Sequence, residues 1–251
     1  MIFSELGGFD LTQLLLAAVA VFIGGFLRGF VGFGGALVII PVMALAFTPK
    51  FAVALHAITE LPGIVQLLPT AVRHCARKTV LPMILALLIG TPLGVYVLTA
   101  VDTETMRIVI SALVLIMVGM LAGNTRIVYA AGMRVSVIGG IVGGIIQGAA
   151  GIGGPPLVAL LLSRGDDPTT TRGNIVVMMS SMVLVALPIL WIYGLISVRA
   201  LILGGLAAPV YLLATYLGSR YFRTGGSDIY RIVALSILAL TAVSTLFFSL
   251  V

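Results

Sequence analysis

Gly24-Gly25-Phe-Leu-Arg28-Gly29-Phe-Val-Gly32-Phe-Gly34-Gly35 is the stretch that decides the fold, because the chain contains this pattern twice. The second copy, 119 residues later, reads Gly143-Gly144-Ile-Ile-Gln147-Gly148-Ala-Ala-Gly151-Ile-Gly153-Gly154, and all six glycines coincide. The same offset pairs Pro49 with Pro168 and Pro69 with Pro188. Internal repeats with glycine-broken hydrophobic segments are typical of transporters that build a central site between two related halves.

The composition predicts an all-α polytopic membrane protein. Charged residues make up 9% of the chain, against roughly a quarter in a soluble domain. Six stretches without any charge have about the length that a helix needs to cross hydrocarbon, roughly 17–25 residues: 79–101, 108–125, 135–163, 173–198, 200–219 and 232–251. The net charge of +6 indicates loops beside anionic lipid, and the scattered arginines do not favour nucleic acid.

Motifs for cofactors are missing from the sequence. Cys75 is the single cysteine, which excludes a disulfide framework or a multi-cysteine metal site. Neither HExxH nor GxxxxGK[ST] occurs, so we expect no metal, no nucleotide and no other cofactor. The first ten residues include Glu5 and Asp10 but no basic residue, so we expect the first hydrophobic segment to be retained rather than cleaved as a signal peptide.

The basic residues predict how the chain crosses the membrane. If the loop 73–78 is cytoplasmic, segment 11–47 must begin and end outside, and at roughly 55 Å it is too long for one crossing of a ~30 Å core. We therefore expect it to fold back at Gly29–Gly35, and segment 135–163 to do the same from the inside. With these hairpins, ten basic residues lie inside and three outside, whereas single crossings would give six and seven.

Each half is then a glycine-tipped, re-entrant-like hairpin followed by three transmembrane helices. Because this number of crossings is odd, the two repeats should be inverted relative to each other. The predicted units are residues 1–123 and 135–251, joined by a cytoplasmic connection over 124–134. We expect a multi-pass protein of the cell's inner (plasma) membrane with both termini outside the cytoplasm, and the sequence leaves open whether it forms a homodimer.

The hairpin tips are the first candidate for a binding site. A helix should start at about Gly34 and another at about Gly153, and a helix start offers unpaired N–H groups and partial positive charge to an anion. The candidate substrate-binding residues are therefore Gly32, Gly34, Gly35, Gly151, Gly153 and Gly154. The alternative is that the glycines only permit tight helix packing.

A family resemblance agrees with this interpretation. The paired Gly-x-Gly-Gly hairpins, with Pro41 or Pro155-Pro156 after them and Thr-Pro or Asp-Pro before the next helix, resemble the TauE/SafE family of sulfite exporters. The resemblance covers essentially the whole chain. It implies a secondary transporter that exports a small anion, sulfite or an organosulfonate.

Polar residues at membrane depth are the remaining candidates, because ionisable groups there are costly. Arg28 could bind an anion through its fork of donors, or it could snorkel to an interface or neutralise Glu60. Its repeat partner is Gln147, a second polar candidate for substrate binding. His56 and Glu60 lie four residues apart on one helix face, where they could carry a coupled proton or simply be hydrogen-bonded.

Two residues at the start of segment 173–198 complete the set. Arg172 is either a gate for anions or a positive-inside anchor. Asn174 could donate to substrate oxygens or bond between helices. An intramembrane enzyme, for which only His56 and Glu60 come near a catalytic pair, and a non-transporting membrane subunit of a complex are the alternative functions.

Overall fold

The computed structural model describes residues 10–122 and 133–223, and in that part of the chain every regular element is a helix. This confirms the all-α class. The nine helices are α1 Leu11–Val31, α2 Gly35–Ala46, α3 Pro49–His74, α4 Arg77–Ala100, α5 Thr103–Ala122, α6 Met133–Ala150, α7 Gly154–Leu162, α8 Pro168–Ile192 and α9 Val198–Arg223. Within the described residues, six helices are long and apolar enough to span a membrane: α1, α3, α4, α6, α8 and α9.

The first hairpin consists of α1 and α2. A capping box between Asp10 and Gln13 starts α1, and Gly32, with φ of 89°, ends it in the left-handed region that favours glycine. Gly34 also has a positive φ and directly precedes α2. Gln13 Nε2 donates to the Ala46 carbonyl at 2.9 Å, so the start of α1 lies beside the end of α2. The predicted fold-back of this segment is confirmed.

The second hairpin consists of α6 and the nine-residue α7. Gly151 turns the chain with φ of 69°, and Pro155 stands in the first turn of α7, where a missing N–H removes no hydrogen bond. The tip lies directly on its own first arm, because a Cβ built on Gly153 would be 2.1 Å from the Gly143 carbonyl oxygen.

The first helix of each hairpin makes its closest contact with a helix of the other half. A Cβ on Gly29 would lie 2.0 Å from the Thr215 carbonyl oxygen, and a Cβ on Gly148 would lie 2.2 Å from that of Thr91. Likewise, a Cβ on Gly218 would lie 2.2 Å from the Phe26 carbonyl oxygen, and a Cβ on Gly94 would lie 2.1 Å from that of Ile145. Small residues let membrane helices approach this closely, so α1 packs on α9 and α6 packs on α4. The packing alternative describes these glycines correctly.

The centre is formed by α3 and α8, the helices that follow the two hairpins. The start of α8 meets the end of α3, since a Cβ on Gly173 would lie 3.1–3.2 Å from backbone atoms of Ala71, His74 and Cys75. The two helices are therefore antiparallel, as an inverted repeat requires, although the inversion and the unit boundaries stay predictions. Helix 232–251, both termini and most of the connection 124–134 lie outside the described residues.

The start of α8 coincides with the Asp-Pro pair. The helix begins at Pro168, about one turn before the charge-free stretch 173–198. Asp167 caps this helix by accepting from the N–H groups of Thr169 and Thr170, both at 3.0 Å. Hydrogen bonds from Thr170 hold the pKa of Asp167 below its ordinary value. Arg172 therefore stands inside the helix rather than before it.

Candidate functional site

A small cavity of about 30 Å³ lies between the two hairpin tips and the middle of α3 and α8. Glu60 is about 17 Å along the roughly 39 Å of α3, and Met179 is at a similar distance along α8. The volume corresponds to about two water molecules. Its polar lining comes from Arg28, His56, Glu60 and Gln147, and glycines of both tips complete it: Gly34, Gly35, Gly151 and Gly154.

An ion pair and a histidine form one wall of the cavity. Arg28 Nε lies 2.7 Å from Glu60 Oε1, with side chains that are 3% and 7% exposed. His56 Nε2 lies 3.4 Å from the other carboxylate oxygen. Arg28 Nη1 also donates to the Gly32 carbonyl. The guanidinium thus ties the first tip to the middle of α3, and removing either charge would leave the other buried without a partner.

Three buried polar atoms around Glu60 have no partner at hydrogen-bond distance among the described residues. They are Arg28 Nη2, His56 Nδ1 and the Tyr211 hydroxyl. Tyr211 lies on α9, fully buried, and interacts electrostatically with Glu60 and Arg28. Buried polar atoms are normally satisfied, so this concentration marks a place where a ligand or water could bind.

In the second tip, a side chain of the same hairpin accepts the hydrogen bond of a backbone N–H group. Gln147, the repeat partner of Arg28, accepts a hydrogen bond from the Gly153 N–H at 3.2 Å. The expected anion contact at that N–H is therefore already occupied by a side chain. Gly153 does not line the cavity, whereas Gln147 does.

The two tips also differ in the number of N–H groups that they can offer. The first turn of a helix has no acceptors of its own, so Gly35 and Ala36 present N–H groups at the start of α2. At the start of α7, Pro155 and Pro156 have none, and Gly154 alone remains. The first tip therefore offers more unpaired N–H groups than the second.

Asn174 does not line the cavity. Its side-chain oxygen accepts from the Ala76 N–H at 2.7 Å, and its amide nitrogen lies 3.5 Å from Asp166 Oδ2. Because α8 begins at Pro168, Asn174 is the seventh residue of the helix and lies in its second turn. It ties α8 to the connection between α3 and α4, which is the interhelical alternative.

Arg172 lines a second, larger space. This vestibule, of about 580 Å³, lies between α3, α8 and α9, and its ionisable side chains are those of Arg172, Arg220, His74 and Tyr216. Arg172 Nη2 also lies 3.4 Å from the Gly29 carbonyl oxygen, at the end of α1. Arg172 therefore contacts the arm that leads to the first tip and faces the vestibule at the same time.

A thin partition separates the vestibule from the cavity. Val176 lines the vestibule, and a Cβ placed on Gly32 would lie 3.6 Å from Val176 Cγ2 and 3.7 Å from Ile175 Cγ2. The Gly32 carbonyl binds Arg28 on the cavity side.

Sequence reasoning missed Tyr211 and the two methionines of the cavity. Tyrosines in membrane helices favour the interfaces, so a tyrosine in the middle of the charge-free stretch 200–219 was an available signal for Tyr211. Met179 and Met182 line the cavity, although their pattern in the sequence indicates only packing. Polarizable, flexible thioethers can adapt to a changing occupant.

Comparison with known proteins gives one match. The family model described as Sulfite exporter TauE/SafE matches residues 16–245, nearly the whole chain. No match came from the curated proteins or from the solved structures.

Proposed function

Because this chain belongs to the TauE/SafE family of sulfite exporters, we propose that it carries sulfite or an organosulfonate out of the cell through the cavity between its hairpin tips. Membership and the six long apolar helices make it a multi-pass membrane protein of a transporter family. The identity of the anion, the site and the coupling are the parts that we add.

The observation that carries the site is the position of Arg28. It lines the cavity with a buried Nη2 that has no acceptor among residues 10–122 and 133–223. The N–H groups at the start of α2 border the same space. A full charge beside a helix N-terminus is a favourable combination for an oxyanion, because screening by water is weak at this depth.

The vestibule is the proposed cytoplasmic approach to this site. The described residues that line it include two arginines and a histidine but no carboxylate, so its potential should attract anions. Arg172 then acts at the inner gate, because it contacts both the vestibule and the end of α1. Separation of Gly32 from Ile175 and Val176 opens the way inward.

Alternating access follows from the arrangement of the halves. The proposed inverted repeat makes the two hairpins equivalent gates on opposite sides, and rocking of one half against the other is the usual motion of such transporters. His56 and Glu60 carry the coupled proton, since they are the titratable pair next to Arg28. We propose that the protein lies in the inner membrane with both termini outside the cytoplasm.

Transport by the purified full-length protein in proteoliposomes tests the proposal. Liposomes loaded with sulfite should release it faster than protein-free liposomes of the same lipid, and a proton gradient directed outward, with the more acidic solution inside, should increase the rate. If neither sulfite nor a simple sulfonate such as methanesulfonate crosses, with or without the gradient, the proposed function is wrong.

A further inference from the structure

The charges around the cavity can be counted. Arg28 from α1 carries one positive charge, and Glu60 from α3 carries one negative charge when ionised. Among residues 10–122 and 133–223, the other titratable groups that face Glu60 are His56 on its own helix and Tyr211 on α9. The cavity side chains from α2, α6, α7 and α8 are uncharged. With a neutral histidine, the site has no net charge.

A neutral, buried site cannot accept an anion without compensation. An uncompensated charge at this depth is strongly unfavourable. One proton on the pair formed by His56 and Glu60 makes the site singly positive, and a singly charged anion then restores neutrality. A doubly charged anion would leave one negative charge buried.

The geometry shows where such an exchange would take place. Glu60 binds Arg28 through a single contact, between Oε1 and Nε. The other carboxylate oxygen, Oε2, lies 3.4 Å from His56 Nε2. A proton held between Oε2 and His56 Nε2 weakens the hold of the carboxylate on Arg28. The guanidinium can then turn its unused Nη2 and its Nε toward an oxyanion.

We propose that the site binds a singly charged oxyanion, hydrogen sulfite or a sulfonate, together with one proton on His56 and Glu60, and carries the two electroneutrally. In the empty site Glu60 takes the place of the substrate on Arg28. This inference rests on the proposed function and specifies the charge state of its substrate.

Currents and fluxes of the wild-type protein decide the proposal. At fixed total sulfite, the initial rate should fall by about tenfold per pH unit above the pKa of hydrogen sulfite. Methanesulfonate should be transported, and the doubly charged sulfate should be at least about tenfold slower. Proteoliposomes on a solid-supported membrane should carry no net current with methanesulfonate, and a potassium diffusion potential should leave the flux unchanged.

A matched pair of variants isolates the carboxylate. In Glu60→Gln the anion would travel without its proton, so any remaining flux should carry current and lose its dependence on the proton gradient. Glu104→Gln changes an exposed glutamate at the start of α5 and should keep electroneutral transport. If Glu60→Gln does not fold, the wild-type measurements still decide.

The failures of the two proposals are distinguishable. Wild-type transport that carries current, or sulfate flux equal to that of methanesulfonate, would overturn the charge inference and leave anion export intact. Absence of flux for every one of these anions would overturn the proposed function itself.

Discussion

The two hairpins share one backbone plan and differ in how their tips use hydrogen-bonding groups. In the first, Arg28 binds the Gly32 carbonyl and Glu60 and keeps one nitrogen without a partner. In the second, Gln147 occupies the N–H of Gly153, and Pro155 and Pro156 remove two more N–H groups. One tip is open to a ligand and the other is satisfied internally.

The two halves are alike in the glycines that pack the helices and differ in the side chain beside the tip. The glycines that bring the helices together occur in both halves with nearly the same spacing to the opposing backbone, so the repeat preserves the frame. A single position, 28 in one half and 147 in the other, changes the tip from a cation to an amide. The binding energy for an anion should therefore come mainly from the first half.

The largest expected effect tests the shared frame. Gly29→Ala and Gly148→Ala each place a Cβ about 2 Å from an opposing carbonyl oxygen, so backbones must separate, at a cost of about 3 kcal/mol or more. Thermal unfolding in detergent should show similar losses for both variants. Gly205→Ala is the control, since nothing lies within 4 Å of a Cβ there. Tolerance of alanine in one hairpin but not in the other would contradict the shared packing.

The second effect tests the open tip. Arg28→Gln makes the first half resemble the second and should weaken anion affinity by about 1.5–3 kcal/mol, or about 10- to 150-fold. Binding of sulfite to the purified variant, measured by calorimetry, gives the value. Combination with Glu60→Gln should not restore binding. Recovery in this double variant would mean that Arg28 merely neutralises Glu60.

The smallest effect tests the satisfied tip. Gln147→Leu leaves the N–H of Gly153 without its acceptor and should lower the free energy of unfolding by about 1–3 kcal/mol. Anion affinity should change by less than about threefold, because the binding groups lie in the other half. Gln66→Leu is the matched control, since Gln66 Oε1 has no partner among the described residues. Loss of affinity as large as that of Arg28→Gln would make the two tips equal contributors.

Much of the fold could be predicted from the sequence because hydrocarbon imposes strict lengths. The charge-free stretches 79–101 and 108–125 correspond to the helices Arg77–Ala100 and Thr103–Ala122. Segment 11–47 is too long for one crossing of the membrane, and this predicted the first hairpin. The charge-free stretch 173–198 covers only the part of α8 that follows Arg172, because the Asp167 cap and Pro168 start the helix about one turn earlier.

The site was only partly predictable, since its contacts join helices that are far apart in the chain. The cost of a charge in a membrane makes Arg28, His56 and Glu60 candidates, but their mutual distances depend on how the first hairpin lies against α3. Asn174 had the right chemistry and lies in another place. The side chain that satisfies Gly153 follows from the turn geometry of the second tip, which a pattern of glycines does not specify.

The C-terminal end of α2 is held by hydrogen bonds from α1 and α5, so a rotation at this clamp would move the tip of the first hairpin. Arg107, at the start of α5, donates to the carbonyls of Ala44 and Phe47, both at 2.9 Å, while Gln13 holds Ala46 from the other side. The twelve residues of α2 extend about 18 Å from this clamp to the tip. A rotation of the clamp by about 10° would therefore displace Gly34 and Gly35 by about 3 Å. This displacement is about the diameter of a water molecule. A rotation of α5 would therefore widen the cavity from the size of water to the size of an oxyanion.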